Sequence, residues 1–156
     1  MTDVAVIEKT FLLLKPDSIQ RGLVGAIISR LENKGLQIVA MKMVMVSQDQ
    51  AMKQYECHKG KPFFDSLVEF ITSSPSIAMV VKGRNAIKLC RKLMGATEPE
   101  NSLPGTIRGD FSSDTKHNLI HGSDSTESYE HEVKVYFTEE EINDFTLALD
   151  PWIYYS

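Results

Sequence analysis

One histidine carries the most chemical potential in this 156-residue chain: His121, inside Asn118-Leu-Ile-His121-Gly-Ser-Asp124 at the edge of a helix cap. Lys15-Pro-Asp17 follows an early apolar run, and two arginines, Arg91 and Arg108, flank a long loop. Competing motif readings fail on spacing. His117 and His121 are four apart, which would suit a metal on a helix, but the segment between them reads as extended and offers no third ligand. Gly122-Ser-Asp-Ser-Thr126 lacks the closing glycine of a nucleophile elbow. Gly22-Leu-Val-Gly25 has neither the Gly-Lys-Ser/Thr ending of a P-loop nor the third glycine of a dinucleotide fingerprint, and reads as close packing. Arg108-Gly-Asp110 reads as loop chemistry rather than an adhesion tripeptide.

The elements that must position these residues follow from hydrophobic periodicity. Thr10 to Lys15 predicts a strand, and Leu23, Val24, Ile27, Ile28 and Leu31 fall at helical spacing up to a stop at Lys34-Gly35. Gln37 to Val46 is apolar on nearly both faces, which predicts a central strand. Gln48 to Tyr55 and Pro62 to Ile71 predict helices, with Pro62 at the first helical position. Ile77 to Lys82 predicts a strand, and Arg84 to Met94 a helix with Ala86, Leu89, Cys90 and Leu93 inward. Gly95 to His117 reads as a long structured loop. Asp124-x-x-Glu127 predicts a capping box for a helix to about Glu132, and Val133 to Phe137 a last strand before a helical, then irregular tail. The order βαββαβ predicts a ferredoxin-like α/β sandwich, a four-stranded antiparallel sheet with helices packed on it.

Composition sets the bounds. Apolar residues make up 42% and charged residues 24%, ordinary for a globular chain, so residues 1–156 are expected to form one domain. No apolar run is long enough for a membrane span, and the amino-terminal stretch carries acids where a secretory signal has basic residues. Cys57 and Cys90, 33 residues apart, build neither a disulfide framework nor a zinc site, and a reducing cytoplasmic setting is expected. The net charge of −4 hides an asymmetry: residues 82–121 carry seven basic against four acidic side chains, residues 122–156 one against nine. A locally basic middle on an acidic chain suits a small polyanion such as a nucleotide better than a nucleic acid.

The segments Lys15-Pro-Asp17 with Gln20-Arg-Gly-Leu-Val-Gly25, Lys61-Pro-Phe-Phe64, Gly95-Ala-Thr97, Pro104-Gly-Thr-Ile-Arg-Gly-Asp-Phe111, Asn118 to Ser125 and Trp152-Ile-Tyr154 resemble nucleoside diphosphate kinases, in that family's order from end to end. Each is common by chance; the ordered set with His-Gly-Ser-Asp is specific. The resemblance implies that His121 takes the γ-phosphate of a nucleoside triphosphate, chiefly ATP, holds it as phosphohistidine and passes it to a different nucleoside diphosphate. A neutral imidazole, with an ordinary pKa of roughly 6.5, offers such a nucleophile at cytosolic pH.

By the same resemblance Glu132 accepts a hydrogen bond from the other imidazole nitrogen, with Ser123 nearby and Tyr55 at a position near the site. Arg91 and Arg108 clamp phosphates, Lys15 and Asn118 reach the sugar hydroxyl and terminal phosphate, and Thr97 bonds a phosphate oxygen. Mg²⁺ bridges the phosphates, held mainly by the nucleotide, with no protein ligand assigned. Phe63 lies about 100° off the stripe of Phe64, Leu67, Val68 and Ile71 on a helix, free to stack on a base that Thr115 faces from the other side. Arg84, Lys88 and Lys92 read as solvated helix surface. Homo-oligomers are implied, a hexamer being expected from the carboxyl tail ending at Tyr155-Ser156 and a tetramer being the alternative. Two departures from the family pattern stand out: Ser18 where glycine is usual, and Thr115-Lys-His-Asn118 in place of aliphatic-Gly-Arg-Asn. The alternative function is a regulatory module on the same sandwich that senses ATP without turnover.

Overall fold

The computed structural model describes residues 6–154. Strand β1 (Ile7–Leu14) leads into α1 (Pro16–Gln20) and α2 (Val24–Asn33), then β2 (Gln37–Val44), α3 (Gln48–Gln54) and α4 (Phe64–Ile71). After these come β3 (Ser76–Arg84), α5 (Ala86–Met94), α6 (Ile107–Phe111), β4 (Ile120–Gly122), α7 (Thr126–Tyr136) and α8 (Asp150–Ile153). The sheet order is β2-β3-β1-β4 with every neighbouring pair antiparallel, the ferredoxin-like arrangement.

Strand β1 explains the two-sided sandwich. Phe11 to Leu14 are fully buried, and alternation sends Phe11 and Leu13 to one face and Leu12 and Leu14 to the other. The first pair packs with Tyr55, Phe64, Val68, Ile71, Val133 and Tyr136 from α3, α4, α7 and their ends. The second packs with Ile27, Leu31, Cys90, Met94 and Ile107 from α2, α5 and α6. Helix α5 faces inward through Ala86, Ile87, Cys90 and Met94, with Leu89 and Leu93 half-buried at its flank.

Five expectations need correction. The fourth strand is Ile120–Gly122, and Val133 to Phe137 continue α7 and its cap. Tyr129, Val133, Tyr136 and Phe137 repeat at helical spacing against the core, and that periodicity overrides the strand preference of Val133 and Val135. The helix is capped by Ser125, whose Oγ accepts from Ser128 N at 3.1 Å, rather than by Asp124. Strand β2 lies at the sheet edge, not the centre: a bulge at Val39 sends both Val39 and Ala40 into one core, and Met41 and Met43, on the other side, stay more than half exposed. Pro62 precedes α4, which opens at Phe64, and Arg84 ends β3 with its guanidinium 5.0 Å from the Tyr154 ring. The loop from Gly95 is ordered around α6 and a 3₁₀ turn at Pro99–Asn101, while Tyr155 and Ser156 lie outside the described residues.

Candidate active site

His121 sits on β4 opposite Leu13 of β1, at the sheet edge away from β2. Glu132, one helical register into α7, places Oε1 at 2.5 Å from His121 Nε2, and Ser123 Oγ donates to its other oxygen. Glu132 is 5% exposed and Ser123 1%, so both carboxylate oxygens are satisfied in a dry setting. A carboxylate accepts only, so the imidazole carries its proton on Nε2 and keeps its lone pair on Nδ1. The Tyr55 ring meets the imidazole edge-on at 5.5 Å, and Phe11, stacked at 5.2 Å on Tyr136, lies behind it. Burial, followed by the Tyr136 and Glu132 charges, pushes the Tyr55 hydroxyl well above its ordinary value, so it stays protonated.

The segment before His121 is held under strain. Leu119 is fully buried with φ of 75°, and Ile120 N–H donates to Asn118 O at 2.9 Å, closing a γ-turn of the costly positive-φ kind. Four partners from distant elements fix it. Asp17 Oδ2 accepts Leu119 N at 3.0 Å, and Lys15 N donates to Leu119 O at 2.8 Å. Ser18 Oγ donates to Lys15 O at 2.6 Å, its single hydrogen shared with Leu119 O at 3.2 Å. Arg108 donates through Nε to Asn118 O at 3.1 Å and through its terminal nitrogens to Gly95 O at 3.2 Å and Ile120 O at 2.5 Å. The unusual Ser18 is therefore a stitch of this turn.

A cavity of about 560 Å³ opens in front of the imidazole. Of the residues proposed from sequence, Lys15, Tyr55, Phe63, Arg91, Thr97, Arg108, Thr115, Asn118, His121 and Glu132 line it, and Ser123 stands behind Glu132. Lys15 is 5% exposed, and burial lowers its ammonium to about 8 against the opposing pull of Asp17. Arg108 is lowered to about 10 by burial and by Arg91, which leaves it charged at neutral pH. Asn118 donates to Thr97 O at 3.1 Å, and its buried Oδ1 has no hydrogen-bond partner among the described residues. Arg91 reaches from α5 to Gly122 O at 3.3 Å. Phe63, 48% exposed, meets His58 edge-on at 5.3 Å.

Close packing explains Gly109 and Gly122. A Cβ on Gly109 would lie 2.0 Å from Leu103 O, and one on Gly122 2.7 Å from the Met94 sulfur. Asp110 accepts from Gly105 N and Arg30, so Arg108-Gly-Asp110 turns its two charges to different internal tasks. No group of three His, Cys, Asp or Glu side chains that could hold a metal occurs among the described residues. Sequence reasoning missed Gln54, Lys116 and Asp124 on the cavity wall and the long-range task of Asp17, whose partner is 102 positions away. The one local hint for Lys116 was its place in the departing Thr115-Lys-His-Asn118.

The comparisons with known proteins agree with this geometry. The family model described as nucleoside diphosphate kinase matches residues 8–142. The chain belongs to the nucleoside diphosphate kinase family. It is 52% identical over 147 residues to the nucleoside diphosphate kinase of Archaeoglobus fulgidus, covering 94% of this chain and 97% of that one. The kinase of Staphylococcus epidermidis RP62A is likewise 52% identical over 147 residues, covering 94% and 99%. Among solved structures, the halophilic nucleoside diphosphate kinase of Halobacterium salinarum in complex with CDP superposes with a TM-score of 0.93 at 45% identity, covering 96% of this chain and 100% of that one. The Babesia bovis family protein follows at a TM-score of 0.91 and 41% identity, covering 94% and 99%. This chain is an enzyme of phosphoryl transfer between nucleotides.

Proposed function

We propose that the reaction is ping-pong through His121. Nδ1 attacks the γ-phosphorus of a nucleoside triphosphate, mainly ATP; the bond to the β,γ-bridging oxygen breaks and the diphosphate leaves. A terminal oxygen of a second nucleoside diphosphate then attacks the phosphohistidine and restores the imidazole. The observation that carries this reading is the Glu132 bridge, which holds Nε2 and Ser123 and leaves Nδ1 as the nucleophile.

Lys15, Arg91, Arg108 and Thr97 meet the phosphates, where charge shifts toward the bridging oxygen in the transition state. Asn118, with its unpartnered Oδ1, and Lys15 meet the sugar hydroxyl and terminal phosphate. Phe63 and Thr115 enclose the base, and Tyr55 walls the imidazole. Mg²⁺ would be held mainly by the nucleotide phosphates and would supply charge neutralisation there; the acids on the cavity wall are Glu132, which accepts from His121 and Ser123, and Asp124, whose Oδ1 accepts from Ser128 Oγ at 2.7 Å. Broad base tolerance follows from stacking, which grips a ring without reading its edge.

Residues 1–156 act as one domain in the cytoplasm, assembled as a homo-oligomer, a hexamer in first place and a tetramer otherwise. Support for assembly comes from the apolar edge of β2; among the described residues no helix is long and apolar enough to cross a membrane. The central test is incubation with γ-labelled ATP and Mg²⁺, removal of nucleotide, and assay for protein-bound label that is acid-labile and base-stable. Stoichiometric label is the expected result; its absence in a protein that still binds ATP overturns the covalent mechanism.

A further inference from the structure

Resting on the nucleotide reading above, the geometry points to Lys116 as a base-selecting residue that favours bases with a carbonyl on the edge remote from the sugar over those with an amino group there. Lys116 lines the same cavity as Phe63 and Thr115. Its backbone is fixed from two sides. Asp114 Oδ1 accepts the N–H of Lys116 at 2.8 Å and of His117 at 3.0 Å, and Ser112 Oγ donates to His117 O at 2.9 Å, its single hydrogen shared with Asp114 O at 3.2 Å. The His117 ring then packs edge-on at 4.8 Å against Phe70 of α4. A segment locked in this way carries Lys116 at a set place on the wall rather than on a wandering loop.

Depth along the segment assigns the part of the ligand it meets. Asn118, placed at the sugar, is 4% exposed, whereas Thr115 and Lys116 are exposed, so the chain climbs from the buried end of the cavity to its mouth. The base edge farthest from the sugar reaches that mouth. Among the described residues no carboxylate pairs with the Lys116 ammonium within 4.0 Å, and the acids of the cavity wall, Asp124 and Glu132, stand at the His121 end. The acid nearest Lys116, Asp114, turns Oδ1 to the backbone N–H groups of Lys116 and His117 and does not line the cavity, so the Lys116 ammonium is the charge of this segment on the cavity wall. An ammonium donates and never accepts, so it matches O6 of guanine or O4 of uracil and opposes the amino groups of adenine and cytosine at those positions. Stacking on Phe63 is blind to this difference, which leaves the discrimination to Lys116.

The test is titration of GDP, ADP, UDP and CDP against the full chain, Lys116→Met and Lys116→Arg, Met keeping the stem and removing the charge. The unsubstituted chain is expected to prefer GDP over ADP and UDP over CDP by about three- to tenfold, the worth of one solvent-flanked hydrogen bond. Lys116→Met should bring both ratios to within about twofold, chiefly by weakening GDP and UDP, and Lys116→Arg should restore them. Equal weakening of all four in Lys116→Met would mean a phosphate contact and overturn the inference; so would ratios that the substitution leaves unchanged, or a preference for ADP and CDP. Failure of the unsubstituted chain to bind any of the four would instead overturn the nucleotide reading, and this inference with it.

Discussion

In the proposed mechanism the placement of one proton at His121 separates nucleophile from support, and the two can be told apart by substitution. His121→Gln removes the nucleophile without emptying a core, so the phosphoenzyme should vanish while folding and nucleotide binding persist, as label retention and ADP titration would register. Glu132→Gln keeps the nucleophile but can no longer accept from both Nε2 and Ser123; it should slow label formation by about ten- to a hundredfold, and loss as complete as in His121→Gln would make Glu132 more than an orienting group. Lys15 sets a pH limit. Its pKa is lowered in the folded chain to about 8, so between that value and about 10.5 the unfolded state holds the extra proton and the stability cost of burying the ammonium fades as pH rises. Nucleotide phosphates, with a last pKa of about 6, are already ionised there and favour the charged lysine. ADP affinity should thus hold from pH 7 to about 8, then fall toward pH 9 with proton uptake on binding, and Lys15→Met should bind weakly with a flat profile. A flat profile in the unsubstituted chain would remove Lys15 from the phosphates. Phe63→Ala should cost every base a similar amount, roughly 1 to 3 kcal/mol, and loss for one base alone would mean recognition other than stacking.

Among the elements, the strained turn at Leu119 is the part that sequence could not announce. Lys15, Arg108 and Asn118 each stood out by type, and the structure brings them to one cavity; that Asp17, Ser18 and Arg108 converge on the backbone of three residues around Leu119 is a long-range fact with no local periodicity. Strands β1 and β3 and helices α2, α3, α4 and α5 were legible because each buries a stripe of its own period. Strand β4 was not, since three residues are too few to show alternation, and Val133 to Phe137, with its β-branched residues, took its place in the reading. The edge position of β2 was hidden because a bulge turns successive residues into one core, so apolar letters ran on where the side chains did not stay buried. The turn itself is testable. Asp17→Ala leaves Leu119 N–H buried without an acceptor, a loss of about 1 to 3 kcal/mol in urea unfolding, and should slow phosphoenzyme formation as His121 loses its fixed approach. Asp17→Asn keeps an acceptor and should retain most of both; unchanged stability and rate in Asp17→Ala would show that Arg108 and Ser18 hold the turn without it.

For the whole molecule, the sheet order β2-β3-β1-β4 sets the chemistry and the open edge at opposite ends. His121 lies on β4, while β2 presents an edge that no other strand of the chain pairs, with Val39 O accepting from Asn143 N at 2.8 Å, flanked by Met41, Met43 and Met45, exposed by 52%, 64% and 58%. Such an edge is a template for further pairing unless it is broken by charge, and Lys42, between the methionines, is already engaged with Glu141 at 2.8 Å on the opposite side of the strand. A second copy of the chain covering this edge would satisfy its backbone groups and remove the apolar surface without touching the cavity. Met43→Glu places an unpaired carboxylate at the centre of that surface. It should convert the proposed homo-oligomer to smaller species at micromolar concentration in sedimentation experiments and lower the melting temperature, because such an assembly would stabilise the folded chain by mass action. Phosphoenzyme formation per chain should survive well below the new melting temperature, since nothing on β4 or α7 has changed. A Met43→Glu protein that sediments as the unsubstituted chain does would move the assembly surface elsewhere, and one that dissociates and also loses label while still folded would mean that the site at β4 depends on its neighbours in the assembly.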